Sequence, residues 1–205
     1  MALWGSKILS PYPARILLVL ACAFAYHNAL QGDFIYDDID SIVDNKDIRS
    51  LWPPRWAIPQ PDGEQAINSR PLVSFSLALN YAWGELDVRG YRAFNIAIHA
   101  LCSLVLFAVL QRSLSARWGE TALPLAWVCA LLWSLHPLNN QCINYITQRS
   151  ESLMALFYLQ AIYCASRSGY RWQLGAVLCC ILSAASKEVA VTAPLVVLLY
   201  DRVFL

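Results

Sequence analysis

The sequence is short of charge. Only 14% of its 205 residues are Asp, Glu, Lys or Arg, where a soluble domain carries about a quarter. A basic excess is also missing: the formal net charge is +1, which excludes a nucleic-acid partner, because such a partner selects for a concentrated positive field. The seven Cys contain no C-x-x-C pair, and their odd number argues against a disulfide scaffold or a zinc site. Cys22, Cys102, Cys129, Cys164, Cys179 and Cys180 lie in apolar runs, where Cys behaves as a small hydrophobe; Cys142 lies in a polar connector. A transporter more often shows helices broken by Gly or Pro at midplane, whereas the interruptions here read as lying at helix ends. No His cluster compels a divalent cation. Asp38-x-Asp40 could supply ligands, but no metal is expected.

What is present is apolar surface. Hydrophobic residues make up 58% of the chain and aromatics 12%, with eight Trp, and the mean hydropathy is +0.45. This composition predicts an all-α integral membrane protein. Six apolar runs are expected to cross the bilayer: Ile16–Ala29, Phe94–Leu110, Ala122–Leu135, Leu153–Ala165, Leu174–Ala185 and Val189–Leu199. Several are shorter than the roughly 20 residues a crossing requires, so their helices should extend into polar flanks. The first run has no small-residue cleavage site after it and reads as an uncleaved span. Placing the amino terminus in the cytoplasm puts Lys7, Arg15, Arg112, Arg117, Arg167, Arg171 and Arg202 on that side. Only Arg149 and Lys187 then fall in the short connectors opposite, as the positive-inside rule demands.

The chain reads as one transmembrane domain, residues 1–205, with residues 31–92 as its first non-cytoplasmic loop. The loop opens on Asp37-Asp38, passes through the proline-rich stretch Trp52 to Gly63, and reaches Ser69-Arg70-Pro71. That stretch predicts turns or extended chain. Pro71 suits the first turn of a helix with Ser69 as its cap, and the helix should lie at the membrane interface. Trp52, Trp56, Trp83 and Tyr91 read as interface anchors. Asn95 and His99, one helical turn apart, read as interhelical hydrogen-bonding residues, and Asn45 as a turn residue. On the non-cytoplasmic side, Asp37, Asp38, Arg70, His136, Arg149, Glu151, Lys187 and Glu188 interrupt helix ends, where ionisable groups are costly and mark sites. The plainer alternatives are a solvated acidic loop start, snorkelling helix-end cations, and a Lys187-Glu188 pair that compensates itself.

Phe34-x-x-Asp37-Asp38 with Ile42-x-x-Asn45-x-x-Ile48 resembles the opening of one membrane glycosyltransferase group. That group comprises bacterial multispanning proteins with tetratricopeptide repeats and animal transmembrane O-mannosyltransferases that target cadherins. The resemblance continues through Ser69-Arg70-Pro71-Leu72, Asn95-x-x-x-His99, His136-Pro137 to Tyr145-Ile146, Gln148-Arg149-Ser150-Glu151, and Ser186-Lys187-Glu188. It implies a GT-C fold and the N-terminal transmembrane part of the family; the later spans and repeats lie outside these 205 residues. It departs at Asn140-Gln141, where the family has Thr-Glu.

The implied activity is inverting transfer of a sugar, O-mannosyl in type, from a polyprenyl phosphate to a hydroxyl on a protein or glycan outside the cytoplasm. The lipid-linked donor is a substrate, and no cofactor is implied. Membrane lipid is the other partner. A bacterial inner membrane is the first expectation and the endoplasmic reticulum the alternative. Asp37 or Asp38, with Asp37 favoured, would take the acceptor proton, each carboxylate raising the other's pKa. Arg70, Arg149 and Lys187 would meet the phosphate, with His136, Glu151 and Glu188 completing a substrate-binding set. The rival reading is a non-catalytic membrane anchor or interaction module.

Overall fold

The computed structural model describes residues 11–58, 67 and 69–204. Lys7 and the turn residues Pro59 to Gly63 lie outside the described residues. Within them all regular structure is helical. The principal helices are α1 (Pro11–Tyr26), α2 (Pro71–Gly84), α3 (Val88–Trp118), α4 (Ala122–Ser134), α5 (Asn140–Asn144), α6 (Arg149–Ala165), α7 (Tyr170–Ala184) and α8 (Ala193–Phe204).

The six apolar runs fall mainly on α1, α3, α4, α6, α7 and α8. Two stretches, Pro11–Gln31 and Val88–Ser134, are long and apolar enough to cross a membrane. α4, α7 and α8 have 13, 15 and 12 residues, about 18–23 Å at 1.5 Å per residue, less than the roughly 30 Å of a hydrocarbon core. α3 does extend into its polar flanks, beginning at Val88 and ending at Trp118. The last run divides instead, because Glu188–Thr192 is a tighter turn of helix ahead of α8.

α3 is the central element, packed against α1, α4 and α6, and α6 carries α7 on its other side. The α1–α3–α4 seam is built from small residues at helical spacing. Ala122, Ala126, Ala130 and Ser134 are all buried on α4, facing buried Ala14 and Leu18 of α1 and Phe107 of α3. Small side chains allow close backbone approach, which drives association where lipid supplies no hydrophobic contrast. The outward faces are apolar: Leu20 and Phe24 of α1, Leu132 of α4, Val177, Leu178 and Ile181 of α7, and Leu195 and Leu198 of α8 are exposed. A surface this apolar marks a hydrophobic environment. The chain is a membrane protein.

The long loop is more structured than its prolines predict. It makes helical turns at Ile39–Val43, Asp47–Arg49 and Arg55–Ala57. Ile42 and Ile48 are fully buried in one core with Val73 and Leu77 of α2, Tyr91 and Ile98 of α3, and Ile146. Asn45 does turn the chain there, its side chain donating to Ser41 O at 3.1 Å and accepting from Asp47 N at 2.9 Å. α2 is thus docked on the protein, with Val73, Ser74, Ser76, Leu77, Ala78 and Asn80 buried, and Trp83 on its outer side. Pro71 occupies the first helical position, but the residue at the cap is Arg70 and not Ser69. Tyr91 is also corrected: it is 1% exposed, a core residue whose hydroxyl donates to Glu85 O at 2.8 Å.

Candidate functional site

Residues 145–151, which run from the end of α5 into the first turn of α6, assemble the site by bonding residue after residue to distant segments. Tyr145 comes first. Its hydroxyl oxygen accepts from the backbone N–H of Asp37 at 3.3 Å, and burial, followed by a hydrogen bond with the Asp37 side chain, pushes its phenol up. The Tyr36 and Tyr145 rings meet edge-on beside it, centroids 6.1 Å apart.

Next, the N–H groups of Ile146 and Thr147 donate to the Asp38 carboxylate at 3.3 and 2.9 Å. Ile35 N–H donates to it at 3.3 Å. Asp38 is completely buried. Burial pushes its carboxyl up, and the N–H donors of Thr147, Ile35 and Ile146 pull the other way. The two acids have separate tasks: Asp38 clips the loop to the 145–151 segment, and Asp37 is exposed. Of the expected pair, Asp37 is thus the exposed carboxylate and Asp38 the one held by backbone N–H groups.

Arg149 is the largest fully buried side chain. Its Nε donates to Asn95 Oδ1 at 2.7 Å, Nη1 to Ser76 O and Oγ at 3.2 and 3.3 Å, and Nη2 to Tyr91 O at 2.9 Å. Its guanidinium also lies over the Phe94 ring at 4.6 Å. Every one of its nitrogens has a partner within the fold, so its assignment to a substrate phosphate is corrected: Arg149 ties α2, α3 and α6 together. Asn95 and His99 act between helices as expected, His99 Nε2 lying 2.8 Å from Ser134 O of α4.

The outer residues form ion pairs. Ser150 Oγ accepts from Arg70 Nη1 at 3.4 Å, and Arg70 Nη2 pairs with Glu188 at 3.3 Å. Glu151 pairs with Lys187. Lys187 and Glu188 therefore do not compensate each other; each reaches a different segment. Arg70 with α2 is held against the turn after α7 by Leu72 N–H donating to Ala185 O at 3.4 Å. The exposed Glu188 carboxyl is held down by its own backbone N–H and by Arg70. His136 stands apart. It is exposed, and its Nδ1 accepts from Leu138 N–H at 3.3 Å, capping its own turn.

Arg92 is a buried cation that the sequence reading passed over. It donates to Ala29 O at 2.6 Å and Asp33 O at 2.5 Å, fixing the chain as it leaves α1. The signal for it is Gly32, where a Cβ would stand 1.9 Å from Arg92 Nη1. Among the described residues no group of three His, Cys, Asp or Glu could hold a metal ion.

The geometry is thus an exposed carboxylate with a tyrosine hydroxyl at one end of residues 145–151 and two ion-paired cations at the other, carried on buried Asp38 and Arg149. No family model matches the chain, and no solved structure does. Matches to curated proteins are consistent in kind. The protein O-mannosyl-transferase TMTC1 of Mus musculus is 33% identical over 168 residues, 78% of this chain and 17% of the relative. The protein O-mannosyl-transferase TMTC3 of Mus musculus is 29% identical over 159 residues, 74% and 16%. The chain is a homologue of the TMTC protein O-mannosyl-transferases. The Drosophila melanogaster TMTC relative extends the match to 91% of this chain at 25% identity, over 24% of its own length. The chain thus spans between about a sixth and a quarter of the TMTC relatives it matches.

Proposed function

We propose that this chain is the site-bearing membrane part of a GT-C-type O-mannosyl transferase. Its helices cross the bilayer six times, with the Asp37 end on the lumenal or periplasmic face. The donor is a polyprenyl-phosphate sugar and the acceptor a hydroxyl of a protein. The observation that carries the reading is the convergence of Asp37, Tyr145, Glu151, Lys187, Arg70 and Glu188 on one short segment, in a chain homologous to proteins named as O-mannosyl-transferases.

The chemistry asks little of such a site. The acceptor oxygen attacks the anomeric carbon, the bond from that carbon to the phosphate oxygen breaks with inversion, and the electron pair leaves on the polyprenyl phosphate. Asp37, exposed and hydrogen-bonded to Tyr145, takes the acceptor proton. Lys187 and Arg70 stabilise the departing phosphate, which exchanges with their present carboxylate partners Glu151 and Glu188. Asp38 and Arg149 act through the backbone they hold.

The test is mannosyl transfer from polyprenyl-phosphate mannose to a hydroxyl-bearing peptide by the full chain in liposomes. Asp37→Asn should lower the rate by about two orders of magnitude or more, the usual contribution of a general base, while leaving the thermal unfolding curve in place. Equal transfer by Asp37→Asn and the parent chain would remove Asp37 from the mechanism. A second reading, a non-catalytic anchor or interaction module, draws support from Asn140-Gln141, where the family has an acidic residue; Asn140 is instead tied to Asn144 within α5. A folded parent chain that transfers nothing would favour it.

A further inference from the structure

At the other end of the helices lies a cleft of about 480 Å³. α6 separates it from the Asp37 site: Glu151 is in its first turn, Arg167 lies two residues beyond its last, and its 17 residues span about 25 Å. Its polar walls are Arg15 of α1, Gln111, Arg112 and Ser115 of α3, and Tyr163 and Arg167 at the end of α6. Three arginines border one cavity and, among the described residues, no Asp or Glu lines it; the ion pairs among the described residues are both at the opposite end.

Arg112 and Arg167 each donate one hydrogen bond within the fold. Arg112 Nε donates to Ser166 O at 2.7 Å. Arg167 Nη1 donates to Tyr163 Oη at 2.7 Å, and its guanidinium lies over the Trp172 ring at 4.3 Å. Arg15 lies 5.8 Å from the centre of the Tyr12 ring. Capping of the α6 terminus explains the Arg112 Nε contact. It does not explain the remaining donors, nor three like charges converging on a space that could hold a ligand. Like charges around one cavity repel, and an anion with several acceptor oxygens would offset that repulsion.

We propose that this cleft binds a phosphate group, supplied by the headgroup of an anionic phospholipid in the adjoining leaflet. Ala108 and Ala116 of α3 and Phe204 of α8 give the cleft an apolar side, suited to glycerol and upper acyl carbons and superfluous for a free ion. The inference rests on the membrane location of the helices and is independent of the transferase reading.

The full chain in phosphatidylcholine nanodiscs, titrated with labelled phosphatidylglycerol, tests it. The double substitution Arg112→Gln with Arg167→Gln should weaken retention about tenfold or more, the effect of losing charge-assisted donors. Arg112→Lys with Arg167→Lys, keeping charge without the planar fork, should fall between and guards against loss by misfolding. Arg117→Gln is the control: it is exposed at the same end of α3 but does not line the cleft, and should leave retention unchanged. Equal loss in Arg117→Gln, or equal retention in the glutamine pair, overturns the site and leaves only diffuse surface charge. Displacement of the lipid by millimolar inorganic phosphate would keep a phosphate site but overturn the lipid as its occupant.

Discussion

Arg149 donates from Nε, Nη1 and Nη2 to Asn95, Ser76 and Tyr91 while wholly buried, so replacing it strands acceptors on α2 and α3 together. Each stranded buried acceptor costs about 1–3 kcal/mol. Arg149→Met should therefore abolish recovery of monodisperse protein, and Arg149→Lys should rescue it poorly, because an ammonium cannot reproduce a planar fork. Size-exclusion profiles and thermal unfolding in detergent would read both. Asp38 supports a prediction in pH. Its carboxyl is pushed up by burial, so the folded state holds the proton more tightly than the unfolded chain. Its contribution is fully present below the ordinary carboxylate pKa and declines as pH rises to the raised folded value, above which it is constant. Asp38→Asn should remove that slope from the stability–pH curve. It should also lower stability at every pH, since an amide nitrogen would face the N–H donors of Ile35, Ile146 or Thr147.

Between elements, the two ion pairs differ in burial and should differ in strength. Arg70–Glu188 joins the approach to α2 to the turn before α8, and its Glu188 side chain is 72% exposed; a double-mutant cycle should return less than about 1 kcal/mol, falling with salt. Glu151–Lys187, joining α6 to the same turn with side chains 36% and 19% exposed, should return more and respond less to salt. At the exit from α1 the constraint is steric. Gly32→Ala would drive a methyl into Arg92 and break its bonds to Ala29 and Asp33, so it should destabilise markedly in the parent chain and much less in an Arg92→Ala background. Thermal unfolding of the single and double variants measures that coupling.

Across the whole molecule, the Asp37 site and the arginine cleft sit at opposite ends of α6, and the proposed six-crossing arrangement requires them on opposite faces of the membrane. In a cysteine-free background, Trp83→Cys and Arg117→Cys should react with a membrane-impermeant thiol reagent from opposite sides of oriented vesicles. Labelling of both from one side would sink that arrangement. Gly32, Asn45 and the buried isoleucines Ile42 and Ile48 show why the loop motif was only half legible. Its spacing is visible in sequence, but that spacing serves packing against α2 and α3, and nothing local distinguishes a packing motif from a binding one. The ion-pair partners were illegible for a related reason: Glu151 is two residues from Arg149, yet helix geometry turns it to Lys187.

Composition and the order of apolar runs determined by themselves that this is a helical membrane protein, and where its apolar helices lie, because hydrophobicity and helical hydrogen bonding are local properties. The split of basic residues between the helix ends was also readable. Only the tertiary structure decided which charges are buried and which are free. Asp37 and Asp38 are adjacent and chemically identical, so sequence could rank them only weakly. The 145–151 segment makes them different, by donating its N–H groups to one carboxylate and leaving the other in the open.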